Sequence, residues 1–321
     1  MITTLVGNYP KVAEGSYSTK LIGAISKWQR KELADARLEA VCQEITRAVI
    51  QEQEAVGLDL LTDGQIRWED LVSPMAKHLE GFEIDGLSRW FDNNVYYRRP
   101  ILHRAPLRKR PILVEAYRFA AGCTKRPVKA VLPGPYTFAY VCEDRHFKRL
   151  RPFALRLAEI LNQEAIDLAQ AGAPLVQFDE PALGCGRPDM KLAVEALGVA
   201  SKGVKAKTAV YTYFGSLNGA LEPLLTRAPV DLVGVDVVSD PKALGALKRL
   251  KVAKELALGC LDARNTKLES IKELHEVFRA VRRLVPSDRL TVNPNCGLEF
   301  LPHPQAVAKI RRLTEAVRTY Y

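Results

Sequence analysis

The 321-residue chain predicts an α/β fold of the (β/α)8 TIM-barrel type. Eight short apolar runs recur along it, and stretches with helical periodicity separate most of them. Parallel strands covered on both faces read as such continuous apolar runs, and eight of them suit a closed ring. A doubly wound open sheet is the alternative, weakened because no GxGxxG follows the first strand.

The first run is ITTLVGNYP. Leu38, Val41, Cys42, Ile45, Ala48, Val49 and Val56 then fall at helical spacing, Gly57 breaks the pattern, and LDLLTDG reads as a short buried strand. Residues 65–126 depart from the repeat. They contain GFEIDGLSRWF and YYRRPILHRAPLR, which suggest a hairpin-bearing insertion after strand 2, a lid or wall to which Trp68 and Trp90 contribute. AVLPGP follows, then a helix carrying Phe153, Leu157, Ile160, Leu161 and Leu168, a break at AGAP and the strand LVQFDEP. TAVYTYFG, LVGVDVV and LALGCLD come next. A helix with Leu268, Ile271, Leu274, Val277, Phe278 and Val281 leads through VPSD into LTVNPNCG. The whole reads as one domain, 1–321, with the insertion inside it.

With 47% hydrophobic and 26% charged residues, the composition is that of a globular protein. No run of eighteen apolar residues occurs, and the chain enters a strand directly, so no membrane partner is expected and a cytoplasmic location is. Six scattered cysteines without a CxxC pair point to free thiols, with Cys42 and Cys260 as packing residues. The net charge of +10 is local: Arg98 to Lys129 holds ten basic residues and one acid, Glu115. Without a helix-turn-helix, zinc-finger or aromatic RNA-binding pattern, nucleic acid is not the expected partner. A solvated basic face, or a rim that attracts an anionic small molecule, remains.

The runs end in polar or turn-forming residues: Asn8, Asp63, Pro133 with Gly134, Asp179 with Glu180, Tyr213, Asp236, Asp262, and Asn293 with Asn295 and Cys296. In a barrel these converge on the C-terminal mouth, where barrel enzymes keep their chemistry. Successive strand residues point to opposite sides, so one of Asp179 and Glu180 faces the substrate and the other braces a neighbour. Such acids can simply cap the next helix. For Asp63, Asp179, Asp236 and Asp262 together that fits poorly, since gathered acids repel unless a cation or basic group sits among them.

Several motifs resemble one family. MITTLVGNYPK is similar to the opening TTxIGSFP of the catalytic barrel of cobalamin-independent methionine synthase, LVQFDEPAL to its IQIDEPAL, and VNPNCGL to its VNPDCGL. LPGPYTF and YYRRPIL resemble its LTGPVT and YVRPP segments, in the same order along the chain. The resemblance implies methyl transfer from a folate-type donor, or another methyl carrier, to the thiol of homocysteine. It also implies a zinc ion held by His, Cys, Glu and Cys. Val6, Gly7, Asn8, Asp63, Gln65 and Asp179 would line the substrate site.

The departures from that pattern are specific. The HxC of the family's fifth strand corresponds to Thr212 and Phe214, and its acidic ligand to Asp236; only Cys296 is retained. A zinc site of the family kind is therefore not expected, although Cys296 and Asp236 could hold a residual metal. The family's DIHS histidine becomes Arg264 in DARN, which holds an anion but does not donate a proton. The glutamate of its HGE motif becomes Gln65. TYFGSL and LDARNT also resemble the metal-free N-terminal barrel of the full-length synthase.

Three functions stay open. One is a methyltransferase acting on a homocysteine-like thiol, with Asp179 orienting the amine. Another is a non-zinc enzyme that uses Asp63, Asp179, Glu180 and Asp262 as acid and base, the Tyr213 hydroxyl and an Arg264 anion clamp. The third is a non-catalytic binding subunit that serves a separate catalytic chain or a homo-oligomer.

Overall fold

The parallel strands form where the apolar runs lie. A computed structural model describes residues 1–11, 16–91, 96–217, 219–250 and 252–320, without the side chains of 16–18. In chain order, β1 (Ile2–Thr3) precedes α1 (Ser16–Gln29), α2 (Asp35–Ala55) and α3 (Ser73–Ala76). Then come β2 (Glu80–Arg89), β3 (Tyr96–Leu107), α4 (Val114–Gly122), β4 (Ala130–Pro133), α5 (Pro135–Val141), β5 (Glu143–Asp144) and α6 (Leu150–Gln170). The second half repeats strand and helix: β6 (Leu175–Asp179), α7 (Met190–Ser201), β7 (Lys207–Tyr211), α8 (Leu221–Thr226), β8 (Leu232–Asp236), α9 (Lys242–Arg249), β9 (Glu255–Leu261), α10 (Ile271–Arg282), β10 (Leu290–Pro294) and α11 (His303–Thr319).

Seven strands make one parallel sheet in the order β1-β10-β9-β8-β7-β6-β4. The sheet curls, and its two edges meet the 58–64 segment through single parallel bridges, Thr4 with Leu60 and Leu61 with Val128. That segment is expected as a full strand, and it pairs with both edges over a short stretch, where Leu60 and Leu61 donate to the Thr3 and Pro127 carbonyls and Lys129 donates back to Leu61. The pairing stops at Thr62, whose backbone carbonyl and N–H are both taken by the Gln53 amide at 2.9 and 3.0 Å, while Asp59 Oδ2 accepts from the backbone and hydroxyl of Thr3 at 2.8 and 2.7 Å. Gly64 then turns into the left-handed region, with φ 71°.

Within residues 65–126, β2 and β3 pair antiparallel, and β5, later in the chain, adds in parallel to β3. Residues 92–95, between β2 and β3 in the sequence, lie outside the described residues. The far end is anchored by charge: Glu164 of α6, fully buried, accepts from Arg108 Nε at 2.6 Å and from the backbones of Ile112 and Leu113 at 2.9 and 2.6 Å. The basic block is thus not one solvated face. Arg108 and Lys129 are buried, and Arg126 reaches back to the Leu58 carbonyl. Among the described residues, no helix is long and apolar enough to cross a membrane.

Candidate active site at the strand ends

Alternation along β6 sorts its side chains. Gln177 and Asp179 point into the ring, while Glu180 turns outward. The Gln177 amide joins two buried charges: Lys129 Nζ donates to its Oε1 at 2.6 Å, and its Nε2 donates to Asp179 Oδ1 at 2.6 Å and to the Val6 carbonyl at 2.8 Å. Lys129 also donates to the Leu5 carbonyl at 2.5 Å and lies over the Tyr211 ring, 4.7 Å from its centroid. The chain ends at Tyr213, whose hydroxyl donates to Asp179 Oδ2 at 3.0 Å. Loss of hydration pushes the Asp179 carboxyl up and the Lys129 amine down, and each charge partly offsets the shift of the other.

The other strand-end acids behave as helix and turn caps. Glu180 accepts from the backbones of Tyr136 and Thr137 at 2.9 and 2.6 Å, at the start of α5. Gly134 makes this possible, since a Cβ there would lie 2.1 Å from Glu180 Cδ. Asp236 Oδ1 accepts from Val238 and Ser239 at 3.0 and 2.8 Å, Asp63 from Gln65 at 2.9 Å, and Asp262 from Arg264 at 2.9 Å. These amides take up charge that seemed to require a cation, which answers the expected mutual repulsion. Glu180 therefore stands as a brace and lies outside the cavity wall.

A cavity of about 290 Å³ opens at the mouth. Asn8, Lys11 and Glu299 form its polar wall, with Glu69 and Asp70 beside them. Trp90, Tyr97, Tyr213, Phe214 and Phe300 form its aromatic wall. The rings meet edge to face: Trp90 with Tyr97 at 5.1 Å, Tyr213 with Phe214 at 4.6 Å, and Phe214 with Phe300 at 5.7 Å. The Trp90 expected in a wall is there; Trp68 lines a neighbouring groove of about 620 Å³ beyond Lys11, with Ile22, Trp28 and Leu38.

Of the sequence-derived residues, Asn8 and Tyr213 line the cavity, and Asp179 stands directly behind Tyr213. Val6 and Gly7 serve through their carbonyls, which accept from Gln177 and Thr62. Gln65 is buried with a left-handed φ of 49° and an Nε2 that meets no partner among the described residues. Arg264 is exposed at the rim, its guanidinium 5.7 Å from the Phe214 centroid. Cys296 is fully buried, and its surroundings hold the thiol well above its usual range.

Sequence reasoning missed Glu299, Lys11, Lys129 and Gln177. Gln177 could have been found, being two residues before Asp179 and so on the same face of one strand. Glu299 Oε1 takes a 3.4 Å contact from Asn8 Nδ2, its Oε2 is buried without a side-chain partner among the described residues, and the Lys11 ammonium and the Glu299 backbone amide favour its charged form. Burial pushes its carboxyl up to about 7.

The family model of the cobalamin-independent synthase catalytic domain matches residues 1–319. The chain belongs to the cobalamin-independent synthase family. It is 30% identical over 318 residues to a methionine synthase of Saccharolobus solfataricus, covering 98% of this chain and 93% of that one. A methionine synthase of Sulfolobus acidocaldarius is 29% identical over 310 residues, covering 96% and 88%. The fold matches a B12-independent methionine synthase from Shewanella sp. W3-18-1 solved with selenomethionine, with a TM-score of 0.82, 23% identity, and 98% and 97% coverage.

The zinc of cobalamin-independent synthases does not fit the residues present here. Thr212 donates its hydroxyl to the Gly234 carbonyl at 2.9 Å, and Phe214 offers a ring without a donor atom. Asp236 is committed to two backbone amides and to Asn295 at 3.3 Å. No group of three His, Cys, Asp or Glu that could hold a metal occurs among the described residues. Cys296 and Asp236 alone fall short of the four ligands of a structural zinc site and the three of a catalytic one.

Proposed function

We propose that this chain methylates the thiol of a homocysteine-like amino acid, without the family's four-ligand zinc site. Family membership over nearly the whole length supports the reaction class, and the chemistry of Thr212, Phe214, Asp236 and Cys296 supports the absence of that site. In this reading the eight strand-end positions of a (β/α)8 barrel converge, and the 65–126 insertion forms one wall of the mouth.

The observation that carries the assignment is the Lys129–Gln177–Asp179–Tyr213 chain. Asp179 is the strand-end acid that accepts from side chains inside the ring rather than from backbone amides. The Tyr213 hydroxyl donates its hydrogen bond to Asp179 and keeps its oxygen lone pairs for the cavity, where they accept from the ammonium of the acceptor. Asp179 acts through Tyr213 and is a positioning residue. Arg264 at the rim meets the acceptor carboxylate, as its fork of donors suits. Cys296 stays a protonated thiol, because burial opposes its ionisation, and takes no part as a nucleophile.

The test is product formation. Chelator-treated protein is incubated with homocysteine and methyltetrahydrofolate or a simpler methyl donor, and methionine is measured by mass spectrometry. Methionine formed by protein carrying far less than one zinc per chain is the expected result. No methionine under any donor, or activity that appears only with stoichiometric zinc and vanishes in Cys296→Ser, refutes the proposal.

A further inference from the structure

Resting on that reading, we propose that Lys309 and Glu269 are positioning residues for the acceptor. Through the 262–264 turn they hold Arg264 at the mouth, and so set the preference for a substrate that carries a carboxylate.

The turn that follows β9 is fixed at three successive backbone amides, each by a side chain. Asp262 N–H donates to Glu269 Oε1 at 2.8 Å, Ala263 N–H to Asn295 Oδ1 at 2.9 Å, and Arg264 N–H to Asp262 Oδ1 at 2.9 Å. Asn295 is itself tied to β9, its N–H donating to the Leu261 carbonyl at 2.8 Å. Ala263 is fully buried and Arg264 beside it is exposed, so the chain leaves the interior at that bond. Such a turn fixes the Arg264 Cα and leaves only its side chain to move. The guanidinium lies by Phe214 of the cavity wall, and among the described residues it pairs with no carboxylate.

Behind the turn stands a charge pair. Lys309 of α11 is fully buried, and its ammonium donates to both oxygens of Glu269 at 2.9 Å. Arg312, further along α11, donates from Nη1 to the Glu269 carbonyl at 2.7 Å. Glu269 directly precedes Ser270, whose capping box fixes the start of α10. Glu269 is thus clamped at its carboxylate, its carbonyl and its next residue, and it presents Oε1 to the turn.

Docking of α11 does not require this pair. Ala306, Ile310, Leu313 and Ala316 already bury that helix, and apolar residues of similar volume would serve as well as a buried ion pair. Apolar residues would, however, leave Asp262 N–H without its acceptor. The pair therefore supplies direction: the lysine holds the carboxylate, the carboxylate holds the amide, and the amide sets where the Arg264 fork begins. A guanidinium grips a carboxylate through parallel bonds of fixed geometry, so a small displacement of its base weakens the contact.

The test uses the full chain and two ligands, homocysteine and the aminopropanethiol that is homocysteine without its carboxylate. Each is titrated calorimetrically against wild type, Arg264→Ala, Lys309→Met and Glu269→Ala, and against Arg264→Ala combined with either of the other two. We expect Arg264→Ala to weaken homocysteine binding about tenfold, Lys309→Met and Glu269→Ala to weaken it at least about threefold, and none to change aminopropanethiol binding by more than about twofold. Each double variant should bind homocysteine no more weakly than Arg264→Ala alone. In methyl transfer, KM for homocysteine should rise in the same order while kcat holds. Glu269→Ala, at a half-buried residue, carries the test should Lys309→Met not fold.

Equal losses for both ligands, or a further loss in the double variants, show a pair that only stabilises the fold and overturn the proposal. If Arg264→Ala weakens homocysteine binding and neither partner variant does, the positioning role falls and the Arg264 contact stands. If wild type binds the two ligands alike, that contact and this inference fall together while the thiol methyltransferase stands. No binding of homocysteine to wild type overturns both readings.

Discussion

Lys129→Met tests the buried chain that organises the mouth. Methionine keeps most of the side-chain volume but removes the charge, the bonds to the Leu5 carbonyl and Gln177 Oε1, and the compensation of Asp179. Lys129 is 2% exposed, so solvent cannot replace those partners. Removing one partner of a buried ionic arrangement costs about 3–5 kcal/mol. The charges here are linked through one amide rather than in direct contact, so the lower end, about 3 kcal/mol, applies. For a chain of this length that corresponds to a fall in Tm of roughly 4–5 °C. Urea unfolding of wild type, Lys129→Met, Asp179→Asn and the double variant closes a cycle. The double variant should be less destabilised than the sum of the single ones by at least ~1 kcal/mol. A loss below about 1 kcal/mol for Lys129→Met, or strict additivity, refutes the coupling.

Three further outcomes are expected. Glu299 has its folded pKa raised from 4.5 to about 7, so the folded state binds the extra proton and stability falls as pH rises between those values. Glu299→Gln should therefore be more stable than wild type at pH 8, by roughly 3 kcal/mol at 1.36 kcal/mol per unit, with the gain gone at pH 4; equal urea midpoints at pH 8 would contradict this. Gly134→Ala drives a methyl group into the Glu180 carboxylate and should cost about 1–3 kcal/mol by urea denaturation, and a neutral result would show that the brace is loose. On the proposed zinc-free reading, kcat/KM for methyl transfer should rise with pH up to the ordinary thiol pKa of about 8.5, whereas a plateau reached by pH 7 would show that the thiolate is activated.

The alternation of strands and helices was legible because buried parallel strands must be apolar throughout, as in Leu175–Asp179 and Leu232–Asp236. The 58–64 segment pairs in parallel with both edges as its apolar residues suggest, but it is cut short at Thr62, whose backbone bonds go to the Gln53 side chain, a partner its own sequence does not reveal. The opposed directions of Asp179 and Glu180 followed from strand geometry alone. The capping of Asp63, Asp236 and Asp262 did not, since it depends on local turns that composition does not specify. Lys129 was counted into a surface charge block because a run of basic residues conceals those that point inward, Arg108 among them. Glu299 was missed because its loop folds it back over Gly297, bringing it beside Asn8 from the other end of the chain.

The most direct test is a crystal structure of the metal-analysed protein with homocysteine bound. We expect the ammonium within hydrogen-bond reach of the Tyr213 hydroxyl, the carboxylate toward Arg264 and the sulfur in the cavity without a metal ligand. A sulfur bound to zinc held by Cys296 and Asp236, or an amino acid lodged away from Tyr213, would contradict the account.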